Sequence, residues 1–400
     1  MNMVRTQLDP SLPGLDALFD EDRLSGLVGR PVSAAHLRWK PGVSAVTRLH
    51  DDDDDGGVRW AATHSEHASR KLEKTFRRAH TQGLEVERIE LGQDDLDGGT
   101  LVSGPISLDP RLYRALQPFR RDGMRDIFAS PAVRVLNYNP FRRVVFAVDG
   151  SVVCRAGASR SVDHSLLERL AASGIPVLTP VHPPNLPWGA HLQYFPWFGS
   201  GDLSTVPQTP EAGPSSYAAG EALALLHAQP PASGTHTWRA PAGRLASLIR
   251  ENSHLLPESA ERLQRVHTGL EPLLRRPGLA ALVHGDFSAD QVLTAGNEVR
   301  LTDFDRCTYG AAASDLGSFA AVEILHAMPL PPSTDVLGLP RTAALLDGYS
   351  SGRFAVNTSE VLGWTVFHLL NRLREPFRAC SATWRSDMTA RLDLIEEILW

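Results

Sequence analysis

With 400 residues, 42% of them hydrophobic, the chain can bury substantial cores and should hold two or three structural units. A formal net charge of −6 with dispersed basic residues leaves no electrostatic footprint for nucleic acid, and three cysteines, Cys154, Cys307 and Cys380, make neither a disulfide framework nor a zinc pattern. Residues 1–10 lack a basic stretch followed by an apolar core and no run of about 18 apolar residues occurs, so neither secretion nor membrane spanning is expected and the reducing cytoplasm is the expected compartment.

The first patterned region is 37–49, interrupted at Pro41 and Gly42 and followed by aspartates at 51–55, a strand at 58–63 and a charged helix over 64–80 that ends near Gly83. The acidic run reads as a solvated hairpin turn rather than a cation site. His64 and His67 would share one helix face, but no further ligands stand nearby, and Ser65 and Glu66 fit a helix start better. Residues 84–130, with Gly98, Gly99, Pro105 and Pro110, read as a connector carrying a short helix near 112–121.

Residues 133–155 then form a second strand-loop-strand, followed by a helix over 162–172 and a strand-like segment at 175–179. The run 136–148 lines up with 37–49, Pro140 on Pro41, and in both places a turn, a strand and a charged helix follow. A duplicated hairpin-helix unit is one reading of this echo, with Ala62 opposite Arg155. An aromatic strand at 192–197 leads through Gly199 into a mainly helical remainder. Helices are expected near 217–228, 243–253 and 257–275, separated by Gly/Pro-rich stretches at 207–214 and 230–234, and later at 315–328, 341–349, 359–374 and 382–399.

Between these helices lies the most informative stretch. The apolar run 279–283 leads into His284-Gly285-Asp286, so the Asp286 carboxylate is presented at an element end, where an acceptor hydroxyl can approach. Gln291, five residues on, offers an amide oxygen, and Asp303, seventeen residues after Asp286, a carboxylate suited to a hard cation such as Mg²⁺. Residues 291–294 and 299–303 read as short strands joined at Ala295-Gly296-Asn297, which brings both ligands to one edge. Phosphoryl transfer needs this set: a carboxylate for the acceptor hydroxyl, oxygen ligands for Mg²⁺, and a rigid element holding them. An ordinary turn and an ordinary strand-end carboxylate are the plain alternative.

This pattern resembles the aminoglycoside phosphotransferase and choline kinase group, relatives of protein kinases, whose His-Gly-Asp is followed after four residues by Asn and then by Ile-Asp-Phe/Trp-Asp/Glu. Gln291 stands in the Asn position. The resemblance implies Asp286 as catalytic base, His284 as support of its loop, Asp303 as main Mg²⁺ ligand and Gln291 as the second. Earlier segments resemble the family in order. Residues 133–155, 162–172 and 175–179 resemble its small lobe, with Arg155 where a phosphate-holding Lys is expected and Glu168 as the helix carboxylate. Arg142 and Arg143, in a loop without glycine, would contact phosphates or else be solvated hairpin residues. Residues 192–203 resemble the linker between lobes, which places the nucleotide base near Gln193 and Phe195. The helix at 217–228 resembles one that ends in Leu-His, and the stretch from Gly310 resembles one in which Asp315 fixes the catalytic loop, an N-cap role for Ser314 or Asp315 accounting for it equally well.

The expected fold is α+β, two-lobed and protein-kinase-like, with a small β-rich lobe and hinge at 131–198, a large mainly helical lobe at 199–400 and an extra N-terminal subdomain at 1–130. The expected activity is ATP-dependent phosphotransfer, GTP being possible, with Mg²⁺, to a hydroxyl of a small acceptor; a catalytically silent kinase-fold binding protein is the alternative. Antibiotic, sugar, amino alcohol and peptide hydroxyl all fit this chemistry, because function sits in the acceptor pocket rather than the fold. Asp290, Asp305, Asp393, Glu396 and Glu397 would attract an aminated sugar or else face solvent. No nucleic-acid or membrane partner is expected.

Overall fold

The apolar-polar alternation over 32–64 and again over 133–157 forms two hairpin-based antiparallel sheets. The structure, a computed structural model, describes residues 8–12, 14–51, 57–65, 72–90, 100–120, 126–159, 164–206, 213–230, 241–275, 278–352 and 354–400. Residues 52–55 of the acidic turn, His67, Gly98, Gly99 and most of both Gly/Pro-rich stretches lie outside the described residues. By its packing the chain divides into unit 1 (Met1–Ser161, Pro180–Trp197, Glu375–Trp384) and unit 2 (Val162–Thr179, Phe198–Arg374, Arg385–Trp400).

In unit 1, helix α1 (Glu21–Val28) starts at Asp20, whose side chain accepts the Arg23 N–H at 3.1 Å, and stops at the left-handed Gly29. Strands β1 (Val32–Lys40), β2 (Ser44–Asp51) and β3 (Val58–His64) follow, then α2 (Glu73–Gln82), β4 (Glu87–Glu90) and β5 (Thr100–Pro105), in the order β1-β2-β3-β5-β4. Two strands thus occupy part of the expected connector. They escape sequence patterning because β4 has one buried residue, Ile89, between charges, and β5 carries Gly104 and Pro105. Gly104 is needed there: a Cβ would stand 2.7 Å from the Trp60 ring.

The second sheet, β6 (Val133–Asn139), β7 (Arg143–Val148), β8 (Val152–Gly157) and β9 (Leu192–Pro196), is ordered as numbered. One apolar core serves both sheets, with Trp60, Val102, Leu112, Tyr138, Phe146 and Cys154 among its buried members. The late stretch of unit 1 brings Phe377 to within 5.1 Å of the Phe19 ring and 5.5 Å of the Trp39 ring.

Unit 2 comprises α3 (His164–Ala172), β10 (Gly201–Asp202), α4 (Gly213–His227), α5 (Pro241–Leu255), α6 (Ala260–Leu274), β11 (Ala280–Val283), β12 (Val292–Ala295), β13 (Glu298–Leu301), β14 (Thr308–Ala311), α7 (Ala312–Ala327), α8 (Pro340–Ser350), α9 (Thr358–Arg372) and α10 (Trp384–Leu399). Residues 175–179 make no strand. Val177 forms one bridge to Leu301, and Pro176 and Pro180, which lack an N–H, cannot extend a ladder. The fold class is α+β, and no helix among the described residues is long and apolar enough to cross a membrane.

One part-buried and one buried histidine make stability pH-dependent. Burial, reinforced by Arg48 and Arg378, lowers the His36 imidazole from 6.5 to about 4; burial and Arg372 lower His368 from 6.5 to about 3. Both titrate near 6.5 when unfolded, so below that pH the unfolded chain binds more protons and stability falls. Stability should therefore be flat with respect to these groups above pH 7. It should decline toward pH 4 with a slope of up to ~1.4 kcal/mol per pH unit for His368 and less for His36, which solvent partly screens. Denaturant midpoints measured from pH 7.5 to 4.5 check this, and His368→Asn should flatten the slope.

Candidate active site

Strand β11 pairs with β14, Val283 opposite Thr308, and delivers the chain to a buried His284. Gly285 follows at φ +83°, where a Cβ would collide with the Arg306 carbonyl, so only glycine fits. Asp286 is then presented half-exposed. Its Oδ2 pairs with Arg306 Nη1 at 3.1 Å, and Oδ1 faces Arg372 Nη2 at 3.8 Å. Among the described residues, one oxygen is thus closely held while the other faces a more distant cation.

The hairpin of β12 and β13 has the expected form: Ala295 pairs with Glu298 across a two-residue turn in which Gly296 takes φ +60°. The Thr302 N–H donates to the Gln291 carbonyl at 3.0 Å, so Gln291 and Asp303 stand next to one rung. The Gln291 amide nitrogen donates to Asp290 at 2.8 Å, which assigns the other amide atom, the oxygen, to the opposite side. Asp303 takes a left-handed backbone, φ 62° and ψ 51°, uncommon for a residue with a side chain.

A carboxylate and an amide oxygen on adjacent rungs are hard donors, and Mg²⁺ is usually held by one or two protein oxygens with phosphates and waters completing its shell. The pair fits that requirement. The strained Asp303 backbone gives a test of its own. Asp303→Ala should be less stable than Asp303→Gly by roughly 1 kcal/mol, since alanine must hold the left-handed conformation, while both lose Mg²⁺-dependent nucleotide binding. Thermal unfolding of the two variants together with Mg²⁺ titration checks both halves.

Beneath the loop lies a buried polar frame. Asp315 accepts the backbone N–H groups of His284 at 2.6 Å and Gly285 at 2.9 Å, and meets His227 Nε2 at 3.1 Å. His227 Nδ1 stands 2.9 Å from the Tyr349 hydroxyl. Burial pushes the Asp315 carboxyl up, but the bond and charge of His227, the His284 charge and the Gly285 N–H together hold it below the usual carboxylate range. His284 Nε2–H donates to the Thr302 carbonyl at 2.8 Å, tying the Asp286 loop to the Asp303 segment. Gly220 and Gly348 let α4 and α8 approach backbone to backbone, which sets Tyr349 against His227.

In unit 1, Arg155 Nη1 donates to Gln193 Oε1 at 3.1 Å across the β8–β9 ladder, where the two residues are partners. Phe195 is half-buried on β9 and Arg142 is exposed after the β6–β7 turn. The Trp197 N–H goes to the Ser151 carbonyl and the Tyr194 carbonyl accepts from Val181, so these backbone groups of 193–197 are engaged within unit 1. Glu168 is exposed on α3 in unit 2.

Of the acidic residues near the expected acceptor face, Asp393 and Glu396 pair with Arg262, Glu397 accepts the Ser333 N–H, and Asp290 accepts from Ser288 and Gln291. Among the described residues no group of three His, Cys, Asp or Glu forms a metal cluster. Arg306 and Arg372 are the functional candidates that sequence reasoning misses. Arg306 directly follows the Asp303–Asp305 segment, a signal that was available; Arg372 arrives from α9 with none.

Residues 156–354 match the model of the phosphotransferase enzyme family. No curated protein matches the chain. Similar solved structures include a choline/ethanolamine kinase family protein from Mesorhizobium loti, 16% identical, covering 72% of this chain and 98% of its own, TM-score 0.46. An amicoumacin kinase is 15% identical over 67% of this chain and 89% of its own, TM-score 0.49. A glucosamine kinase is 13% identical over 99% of each, TM-score 0.45.

Proposed function

We propose, on the match of residues 156–354 to the phosphotransferase enzyme family, transfer of the γ-phosphate of ATP, or of GTP, to a hydroxyl of a small acceptor. The observation that carries this reading is the frame under the catalytic segment: Asp315 holds the His284 and Gly285 amides while His284 holds the Thr302 carbonyl, so Asp286 and Asp303 are fixed on one support.

Asp286 accepts the acceptor hydroxyl proton on Oδ1, the oxygen not bound closely by Arg306. As that proton leaves, the acceptor oxygen bonds to the γ-phosphorus and the bond from phosphorus to the β–γ bridging oxygen breaks, releasing ADP. Mg²⁺ held by the oxygens of Asp303 and Gln291 would neutralise charge on the phosphates. Arg155, with Gln193 steadying its guanidinium, and Arg142 are assigned to the nucleotide phosphates, Glu168 to the helix carboxylate that partners the phosphate-holding cation, and Phe195 to the base. Because catalysis of this kind is mostly positioning and charge neutralisation, an arginine in place of a lysine alters phosphate geometry without removing the charge. The three free cysteines suit a reducing cytoplasm.

The test is Mg²⁺-dependent ATP turnover against pooled hydroxylated antibiotics, sugars and amino alcohols. Acceptor-stimulated turnover is expected. No turnover together with no Mg²⁺-dependent nucleotide binding in a thermal-shift measurement would sink the kinase reading and leave a kinase-shaped binding protein.

A further inference from the structure

Unit 1 contains one construction twice. Leu8-Asp9-Pro10-Ser11-Leu12 recurs as Leu108-Asp109-Pro110-Arg111-Leu112, and both aspartates are buried. Each reaches the tip of the next hairpin. Asp9 accepts the Trp39 indole N–H at 3.0 Å and the Gly42 N–H at 2.8 Å; Asp109 accepts the Tyr138 O–H at 2.7 Å and the Phe141 N–H at 2.7 Å. The two tips match in detail. The Val43 N–H closes on the Lys40 carbonyl at 3.0 Å and the Arg142 N–H on the Asn139 carbonyl at 3.1 Å, with Gly42 at φ 67° and Phe141 at φ 59°.

The ladders agree rung for rung. Val46 pairs with Ala62 and Ala62 with Val102, as Val145 pairs with Arg155 and Arg155 with Gln193. The first strand of each sheet slips register at the corresponding place, between Ala35 and Arg38 and between Val135 and Asn137. The repeat within unit 1 therefore begins at Leu8 and Leu108 and includes an aspartate latch as well as the hairpin and its neighbouring strands.

The copies differ in chemistry. On the rung that carries Arg155 and Gln193, the first copy has Ala62 and Val102, and after its tip it has Val43 and Ser44 where the second has Arg142 and Arg143. What the first copy does is touch the second copy's tip. The Trp60 ring packs edge-on against Phe141 at 5.7 Å, and Arg38 donates to the Pro140 carbonyl at 3.3 Å. Phe141, in a left-handed conformation that bulky residues disfavour, is thus held by Asp109 at its amide and by Trp60 at its ring. A tip whose amide already has a buried acceptor is not set up to wrap phosphate with backbone, as a glycine loop does. Its service to a nucleotide must come from the fixed placement of the arginines that follow.

We infer that the N-terminal copy is an internal brace and that Asp109 is a positioning residue, together fixing the 139–143 tip so that Arg142 can meet the phosphates of a nucleoside triphosphate. This rests on the nucleotide role proposed above. Asp9 is the built-in comparison, the same carboxylate on a tip that bears no arginines.

The experiment compares full-length Asp109→Ala, Asp109→Asn, Asp9→Ala and Arg38→Met. It reads amide hydrogen exchange over 139–143 without nucleotide, then KM for ATP and kcat. Asp109→Ala and Asp9→Ala should lose similar thermal stability. Only Asp109→Ala and Arg38→Met should speed exchange at the tip, by roughly tenfold, the scale of one lost buried hydrogen bond. The same two should raise KM for ATP several-fold while kcat at saturating ATP holds, and Asp109→Asn, which keeps one acceptor oxygen, should restore much of the loss. Arg38→Met keeps the test decisive if an aspartate variant fails to fold. Unchanged tip exchange, or a KM rise equally present in Asp9→Ala, overturns the brace. Faster tip exchange in a chain whose native form binds no ATP refutes the nucleotide reading and the positioning role with it, leaving the duplication as architecture alone.

Discussion

An Asp286→Asn protein is expected to keep its fold and its nucleotide affinity while losing roughly 10³-fold in turnover, the usual contribution of a positioned general base. Asparagine has the shape of aspartate but cannot take the proton of the acceptor hydroxyl. The ion pairs it removes are partly exposed, Asp286 at 36% and Arg306 at 50%, and such pairs are worth only about 0–1 kcal/mol. Stability is therefore a poor explanation for any large loss. Single-turnover rates with saturating ATP and the acceptor found in the pooled assay, measured beside ADP affinity, make the distinction. A loss under tenfold would mean that positioning alone supports transfer and that Asp286 is not the base.

The second large effect lies out of reach of any substrate. Asp315→Leu should destabilise unit 2 by about 3–5 kcal/mol, because it strands the buried amides of His284 and Gly285 and the His227 imidazole. His227→Leu alone should cost less, since the two backbone N–H groups still bind the carboxylate. The double variant should cost less than the sum of the singles, because removing both partners leaves fewer unmatched groups. Chemical unfolding of the four proteins yields the coupling energy. Strict additivity would show that the Asp315–His227 contact does not support the 284–286 loop as a unit.

The candidate segment at 284–303 is legible in sequence because its proposed donors lie close together along the chain and its two strands are joined by a short glycine turn, so local geometry fixes their relation. The later helices are legible for a similar reason, each carrying its own apolar period along the chain. What escapes is long-range. Arg372 meets Asp286 only through the packing of α9, and Gln193 meets Arg155 only through the pairing of β8 with β9. Charged β4 and glycine-containing β5 earn their places as strands from the neighbour they pair with, not from their own composition. The repeat is visible in its proline-centred hairpins. Its opening motif, five residues around an Asp-Pro, gains meaning only when both aspartates are seen holding equivalent tips.

Unit 1 draws on three stretches of chain separated by long excursions, and its last stretch places Phe377 against Phe19 and Trp39. During synthesis at about 5–20 residues per second, that aromatic cluster has to wait many seconds between the emergence of its first member and its last. Over that interval Phe19 and Trp39 have no Phe377 to close against. A released chain truncated before Phe377 should accordingly be a better client for hydrophobic-binding chaperones than the full-length chain, and slow codons placed ahead of Phe377 would lengthen the exposure without altering a single residue.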